Sequence, residues 1–143
     1  DNVAIRNSAF SDISGHVVAL EREIDDLGIY NGEYVTIEDS TFSNIAGTVA
    51  WLYRGGTDES TFGPHFTLHN NTLDNVGHGK RNKTRGSVYL LGVQVANIAG
   101  NAIRNSRPVR VVETVGEPIT TMTDNELVDT DESEIGPLQK DGA

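Results

Sequence analysis

Short runs in which apolar residues alternate with polar ones recur along this chain in the same internal order. In residues 35–45 the apolar positions are Val35, Ile37, Phe42 and Ile45, with Asp39, Ser40 and Asn44 between them. Residues 3–13 and 66–76 repeat that order, and residues 96–106 and 120–130 are weaker copies. The large apolar residue of each copy is Phe10, Phe42, Leu73, Ile103 and Leu127, so the copies step by 32, 31, 30 and 24 residues. A period-2 alternation predicts a short half-buried strand. A second apolar run follows most copies, at residues 17–20, 48–53, 87–91 and 109–112. No stretch between copies has a helical period of useful length. A repeat of this size points to a solenoid, propeller or array. Two or three short strands per unit and no helix predict an all-β chain, a parallel β-helix of about five coils. A single coil cannot bury its own apolar face, so stacking must supply the core.

The polar positions keep step with the apolar ones. Asp12, Asn44, Asn75, Asn105 and Asp129 occupy one place in successive copies, and Asn7, Asp39, Asn70, Gly100 and Asp124 occupy another. In stacked coils these become two ladders with a spacing of about 4.8 Å. Asn and Asp tolerate the left-handed backbone region and bond to nearby backbone. They are therefore expected to be turn residues that hold the corners of the coil rather than a site.

At 143 residues one domain is the default, and five coils stand about 20–25 Å tall. Such a stack has two open ends and no visible capping repeat at its start. The expectation is a segment of a longer solenoid, or a module that docks on one. The solenoid is expected over residues 1–130, followed by an acidic tail at 131–143, poorly ordered unless it packs. There are no cysteines, which excludes disulfides and Cys-ligated metals. Neither a signal peptide nor a membrane-spanning run is present in these residues.

Charge changes the picture locally. The net charge is −10, and residues 113–143 carry nine acids and one Lys. That argues against nonspecific nucleic-acid binding. Residues 78–85, by contrast, hold Lys80, Arg81, Lys83 and Arg85 and no acid. This basic run lies in an insertion, since 15 positions separate Leu73 from Val88 where 7 separate Phe10 from Val17. Insertions in repeat proteins emerge on one face, often the binding face. The basic run is thus the candidate for meeting an anion. Arg54, Gly55, Gly56, Asp58 and Glu59 form a second dense cluster, which reads equally as an Arg–carboxylate clamp or as part of a site. Asp25 and Asp26 could join a Ca²⁺ site, but two acids fall short of the oxygen set that Ca²⁺ takes. They read better as solvated loop charge. Arg110, between Val109 and Val111, is expected to point outward.

Several of these stretches resemble polysaccharide lyase family 6, the group of alginate lyases and chondroitinase B-like enzymes. The resemblance is carried by residues 53–64, with Tyr53, Arg54, Gly55, Gly56, Thr57, Asp58, Glu59, Gly63 and Pro64. It continues through residues 77–83, 91–94, 114–118 and 26–34, in the same order, and covers about residues 1–130. It implies a right-handed parallel β-helix that corresponds to the C-terminal one of two such domains. The activity implied is β-elimination on an anionic polysaccharide such as alginate, with a Lys base, an Arg acid and often Ca²⁺, all in the N-terminal domain. No position here matches that catalytic segment, so no catalytic residue, metal ligand or resident cofactor is assigned to this chain. The implied partners are alginate, the N-terminal catalytic β-helix domain and a second copy in a homodimer, with neither nucleic acid nor membrane. The implied location is secreted or periplasmic.

These observations support a supporting domain whose sugar-facing residues are Arg54, Lys80, Arg81, Lys83 and Arg85. Two other functions are kept beside it. One is a non-catalytic carbohydrate-binding or structural module that kept the fold without the enzyme. The other is a self-sufficient lyase using Lys80 or Lys83 with Arg81 or Arg85.

Overall fold

A computed structural model describes residues 2–20, 34–53, 65–113 and 118–137. They form fifteen strands and no helix. In chain order these are β1 (Asn2–Arg6), β2 (Ala9–Ile13), β3 (Val18–Leu20), β4 (Tyr34–Glu38), β5 (Thr41–Ile45), β6 (Ala50–Tyr53), β7 (His65–His69), β8 (Thr72–Val76), β9 (Val88–Leu91), β10 (Val95–Ala99), β11 (Ala102–Arg104), β12 (Val109–Glu113), β13 (Ile119–Thr123), β14 (Glu126–Val128) and β15 (Glu134–Pro137). Every third strand joins the same sheet, giving three parallel sheets of five strands: β1-β4-β7-β10-β13, β2-β5-β8-β11-β14 and β3-β6-β9-β12-β15. This is a parallel β-helix of five coils, with three strands per coil.

Register follows the repeat residue for residue. Phe10 pairs with Phe42, Phe42 with Leu73, Leu73 with Ile103 and Ile103 with Leu127. In the first sheet Ile5, Ile37, Leu68, Ile98 and Met122 stack in the same way. These columns are the core: Ile37, Phe42, Leu68, Leu73, Ile98 and Ile103 are fully buried. The Phe10 and Phe42 rings lie parallel with centroids 5.2 Å apart, about one strand spacing. The corresponding residues of the first and last coils, Ile5, Phe10, Met122 and Leu127, are only partly buried because each lacks a neighbour on one side.

Both predicted ladders sit at corners in the left-handed region. Asn7, Asp39, Asn70, Gly100 and Asp124 have φ between 48° and 69°, as do Asp12, Asn44 and Asn75, while Asn105 lies at 48° and Asp129 at 47°. Side chains link the second set: Asn44 Nδ2 donates to Asp12 Oδ1 at 3.1 Å, and Asn75 Nδ2 donates to Asn44 Oδ1 at 3.0 Å. A third ladder lies one residue past the first corner, where the sequence pattern gives no separate signal. It comprises Ser8, Ser40, Asn71, Asn101 and Asn125, which point into the coil. Asn101 Oδ1 accepts from the Asn71 amide at 2.9 Å, and Asn125 Oδ1 accepts from the Asn101 amide at 3.0 Å. In return, Asn71, Asn101 and Asn125 donate Nδ2 to the carbonyls of Ile37, Leu68 and Ile98 at 2.8–2.9 Å. Each buried amide thus satisfies the backbone where the chain bends from one sheet to the next, which would otherwise leave polar groups unpaired in an apolar interior.

One boundary moves. Residues 134–137, assigned above to the acidic tail, form β15 and pair with β12, with Arg110 opposite Glu134 and Glu113 opposite Pro137. The run containing Glu134, Ile135, Gly136 and Pro137 is too short and too polar to show a period. Pro137, lacking an N–H, is tolerated because β15 lies at the sheet edge. Residues 138–143 lie outside the described residues.

Asn101→Ala should cost about 3 kcal/mol, because it strands the Leu68 carbonyl and weakens the pairing of Asn71 and Asn125 in a site 1% exposed. Urea unfolding measures it. A loss below about 1 kcal/mol would mean the ladder is replaceable by water or by shifts of the backbone.

Candidate functional site

Most coils turn from the second sheet to the third with four residues: 14–17, 46–49 and 105–108. The third coil uses 77–87. This longer connection is the basic run, and its backbone is tightly fixed. Gly77 donates its amide to the Ile45 carbonyl at 2.8 Å, and Gly79 donates to Ala46 at 2.9 Å. Two successive turns follow, closed by Asn82 N to Gly79 O at 3.0 Å and Arg85 N to Asn82 O at 3.3 Å.

Asn82 plugs the middle of the loop. It is 8% exposed and donates Nδ2 to the carbonyls of Gly77 and Gly86 at 2.9 and 3.1 Å, so one side chain ties the loop's two ends together. Its Oδ1 accepts the Thr84 hydroxyl at 2.8 Å, and Thr84 Oγ1 in turn accepts the Gly86 amide at 3.1 Å. With Asn82 and Thr84 turned inward, Arg81, Lys83 and Arg85 are turned outward and, with Lys80, are exposed. Arg85 holds φ 54°, a left-handed conformation that suits the return toward β9.

Two arginines from the next coil extend the cationic surface. Arg107 is exposed and its amide donates to Val76 at 2.9 Å; its side chain lies over Gly77, where a Cβ would approach Arg107 Cβ to 2.9 Å. Arg110 points outward, as expected. Its side chain crosses Gly86, where a Cβ would meet Arg110 Cγ at 3.3 Å. Its Nη1 donates to the Thr84 carbonyl, its Nε lies 3.4 Å from Glu134 Oε1, and its guanidinium sits over the Tyr89 ring at 5.3 Å. The loop is thus held by the coil before it and clasped by the coil after it. Among the described residues no carboxylate pairs with Lys80, Arg81, Lys83, Arg85 or Arg107. Five cations without a carboxylate partner among the described residues, on one corner of an otherwise acidic protein, make a local positive field, which attracts anions and weakens with salt.

Lys80, Arg81, Lys83 and Arg85 are therefore brought together on one rigid loop. Arg54 lies outside the described residues, as do Asp25, Asp26 and the rest of residues 54–64. The chain leaves β6 at Tyr53, at the opposite end of the third sheet from the basic loop. Among the described residues no group of three or more His, Asp or Glu is placed to hold a metal ion. Asn82 and Thr84 are structural partners of the site that charge counting does not find. Their signal is the alternation of basic and small polar residues through 80–85, which looks like loop composition until the inward positions are known.

No protein-family model and no curated protein matches the chain. Solved structures do. The chain is 44% identical over its full length to part of the PL6 family alginate lyase AlyGC, with a TM-score of 0.88. A mutant of AlyGC matches over 98% of the chain with 39% identity and a TM-score of 0.80. The chain spans 20% and 24% of the length of those two structures. In sequence and in fold it is similar throughout to a segment of a PL6 alginate lyase.

Asn82→Ala should loosen the loop without unfolding the coil stack, since the core columns lie elsewhere. Amide exchange at residues 79, 82, 85 and 86 should accelerate by about one to two orders of magnitude, from loss of a buried group that closes two carbonyls. Exchange unchanged at those amides would show that the turns hold without their plug.

Proposed function

We propose that this chain is a β-helix segment of an alginate-degrading lyase of the PL6 type, and that it supplies polyuronate-binding surface rather than the catalytic base. The similarity to AlyGC along the entire chain carries the first half of this reading. The rigid loop that turns Lys80, Arg81, Lys83 and Arg85 to solvent carries the second. Alginate bears a carboxylate on every sugar, so a cluster of unpaired cations gains from several charges at once. The gain comes without ordering the loop, because Asn82 and Thr84 have already ordered it.

In β-elimination a base removes the proton next to the uronate carboxylate, after that carboxylate has been neutralised. Lys80 and Lys83 stand in solvent, without the burial that would lower the pKa of a Lys base. Such cations suit charge contacts along a polymer. Under this reading the Lys base, Arg acid and Ca²⁺ belong to an N-terminal catalytic β-helix domain of the same enzyme. The present segment docks on that domain or supports a homodimer, and the enzyme works where alginate is met, outside the cytoplasm.

Alginate should bind the isolated chain in a salt-sensitive manner without forming unsaturated product. Lys80→Ala, Arg81→Ala, Lys83→Ala and Arg85→Ala combined should weaken binding at least about tenfold at low salt and flatten its salt dependence. Affinity chromatography on immobilised alginate, run beside an ultraviolet assay for unsaturated uronate, checks both halves. Turnover by the isolated chain that disappears in the Lys80→Ala, Lys83→Ala double variant would instead make the loop catalytic.

A further inference from the structure

The outer face of the third sheet, next to the basic loop, carries a row of residues that the loop reading does not use. Trp51 pairs in register with Tyr89, Tyr89 with Arg110, and Arg110 with Glu134. Their neighbours along each strand, Ala50, Leu52, Val88, Leu90, Val109 and Val111, are buried, so the row faces outward. A groove of about 500 Å³ opens over the part of it formed by Tyr89, Arg110 and Glu134, lined also by Ser133, Gly136 and Pro137. A Cβ on Gly136 would meet nothing within 4 Å, so the groove floor is open there.

We infer that this groove is a subsite for one uronate sugar of the polymer that the basic loop attracts. The inference rests on that reading of the loop and deepens it. Arg110 supplies the anion contact. Nη1 is spent on the Thr84 carbonyl and Nε faces Glu134, but among the described residues Nη2 has no partner. Among the described residues both N–H donors of Nη2 and the second of Nη1 are therefore unspent, beside a wall of Tyr89 and Pro137 that suits the apolar face of a sugar ring. Ser133 offers a hydroxyl to the sugar hydroxyls. The subsite adjoins the loop, because Arg110 crosses Gly86, the residue after Arg85. A chain lying along the solenoid axis thus meets the loop cations with some carboxylates and Arg110 with another.

Glu134 makes the inference specific. Its Oε1 lies 3.4 Å from Arg110 Nε, longer than a normal hydrogen bond, and its side chain is 61% exposed. It is a weak internal competitor for the same guanidinium. Removing its charge should therefore tighten binding of an anionic sugar, an effect that a merely structural ion pair would not produce.

The test titrates the 143-residue chain with mannuronate and guluronate tetramers, and with cellotetraose as an uncharged control. Trp51, the only Trp, lies just outside the groove and pairs with its wall residue Tyr89, so its fluorescence reports occupancy in the unaltered protein. The acidic tetramers should shift its emission and cellotetraose should not. Tyr89→Leu should weaken the tetramers about tenfold, as expected for losing a ring that packs on both the cation and the sugar. Glu134→Gln should tighten them about threefold, in line with an exposed ion pair of modest strength. Glu126→Gln, which removes an equally exposed acid paired with Arg104 on another sheet, should change nothing. Tetramer binding indifferent to both Tyr89→Leu and Glu134→Gln, yet lost on neutralising the loop, overturns the subsite and leaves the loop reading standing. A Trp51 response that persists while polymer binding ignores the loop overturns the loop reading instead. No response to either tetramer overturns the subsite outright.

Discussion

The left-handed backbone at two corners of every coil is the constraint on which the rest of this fold depends. Each corner must bend the chain from one sheet to the next without breaking step with the coil beneath. Residues with φ near +50° do this at the same place in each coil, and most are Asn or Asp. A β-branched side chain at such a corner would be strained, and a residue unable to reach neighbouring polar groups would lose the links between coils. Once the corners are in register, the apolar columns align by default, because strand pairing fixes each residue over its counterpart.

The buried Ser and Asn column one position later converts that geometry into a specific stack. An apolar column alone would tolerate slippage by a coil, since Phe, Leu and Ile are interchangeable at that resolution. Buried amides are not. Asn71 and Asn101 each accept from a backbone amide of the preceding coil, donate to a backbone carbonyl of that same coil, and donate also to the Asn side chain of the coil that follows, so a slipped stack leaves several of these groups unpaired. At the first coils the column is Ser rather than Asn. Ser40 Oγ accepts from the Ser8 amide at 3.1 Å, and a hydroxyl reaches only the adjacent backbone.

Much of this architecture is legible in the sequence, for a physical reason. Columns of like residues are under the same steric demand, so Phe10, Phe42, Leu73, Ile103 and Leu127 announce their own register, as do both sets of corner residues. The third column was missed because its members differ in type, and because Asn71 and Asn125 follow other polar residues and look like the same turn. β15 was missed because an edge strand with Gly136 and Pro137 carries no period. At the site, the four cations of the loop were legible as charge, but not the inward Asn82 and Thr84 that aim them. Nor was the convergence of Tyr89, Arg110 and Glu134, which are separated by 21 and 24 residues and meet only through coil stacking. Arg54, which the sequence sets beside Gly55 and Gly56, lies outside the residues described.

The position of the basic loop along the stack has a kinetic consequence. In a one-dimensional array each unit is stabilised by its neighbours. The third coil holds Leu73 and Val76 with no exposure at all, packed between the second and the fourth. The loop springs from that third coil. Its cations therefore move only when contacts on both faces of the coil are broken, and the charge pattern outlasts looser motions elsewhere in the stack.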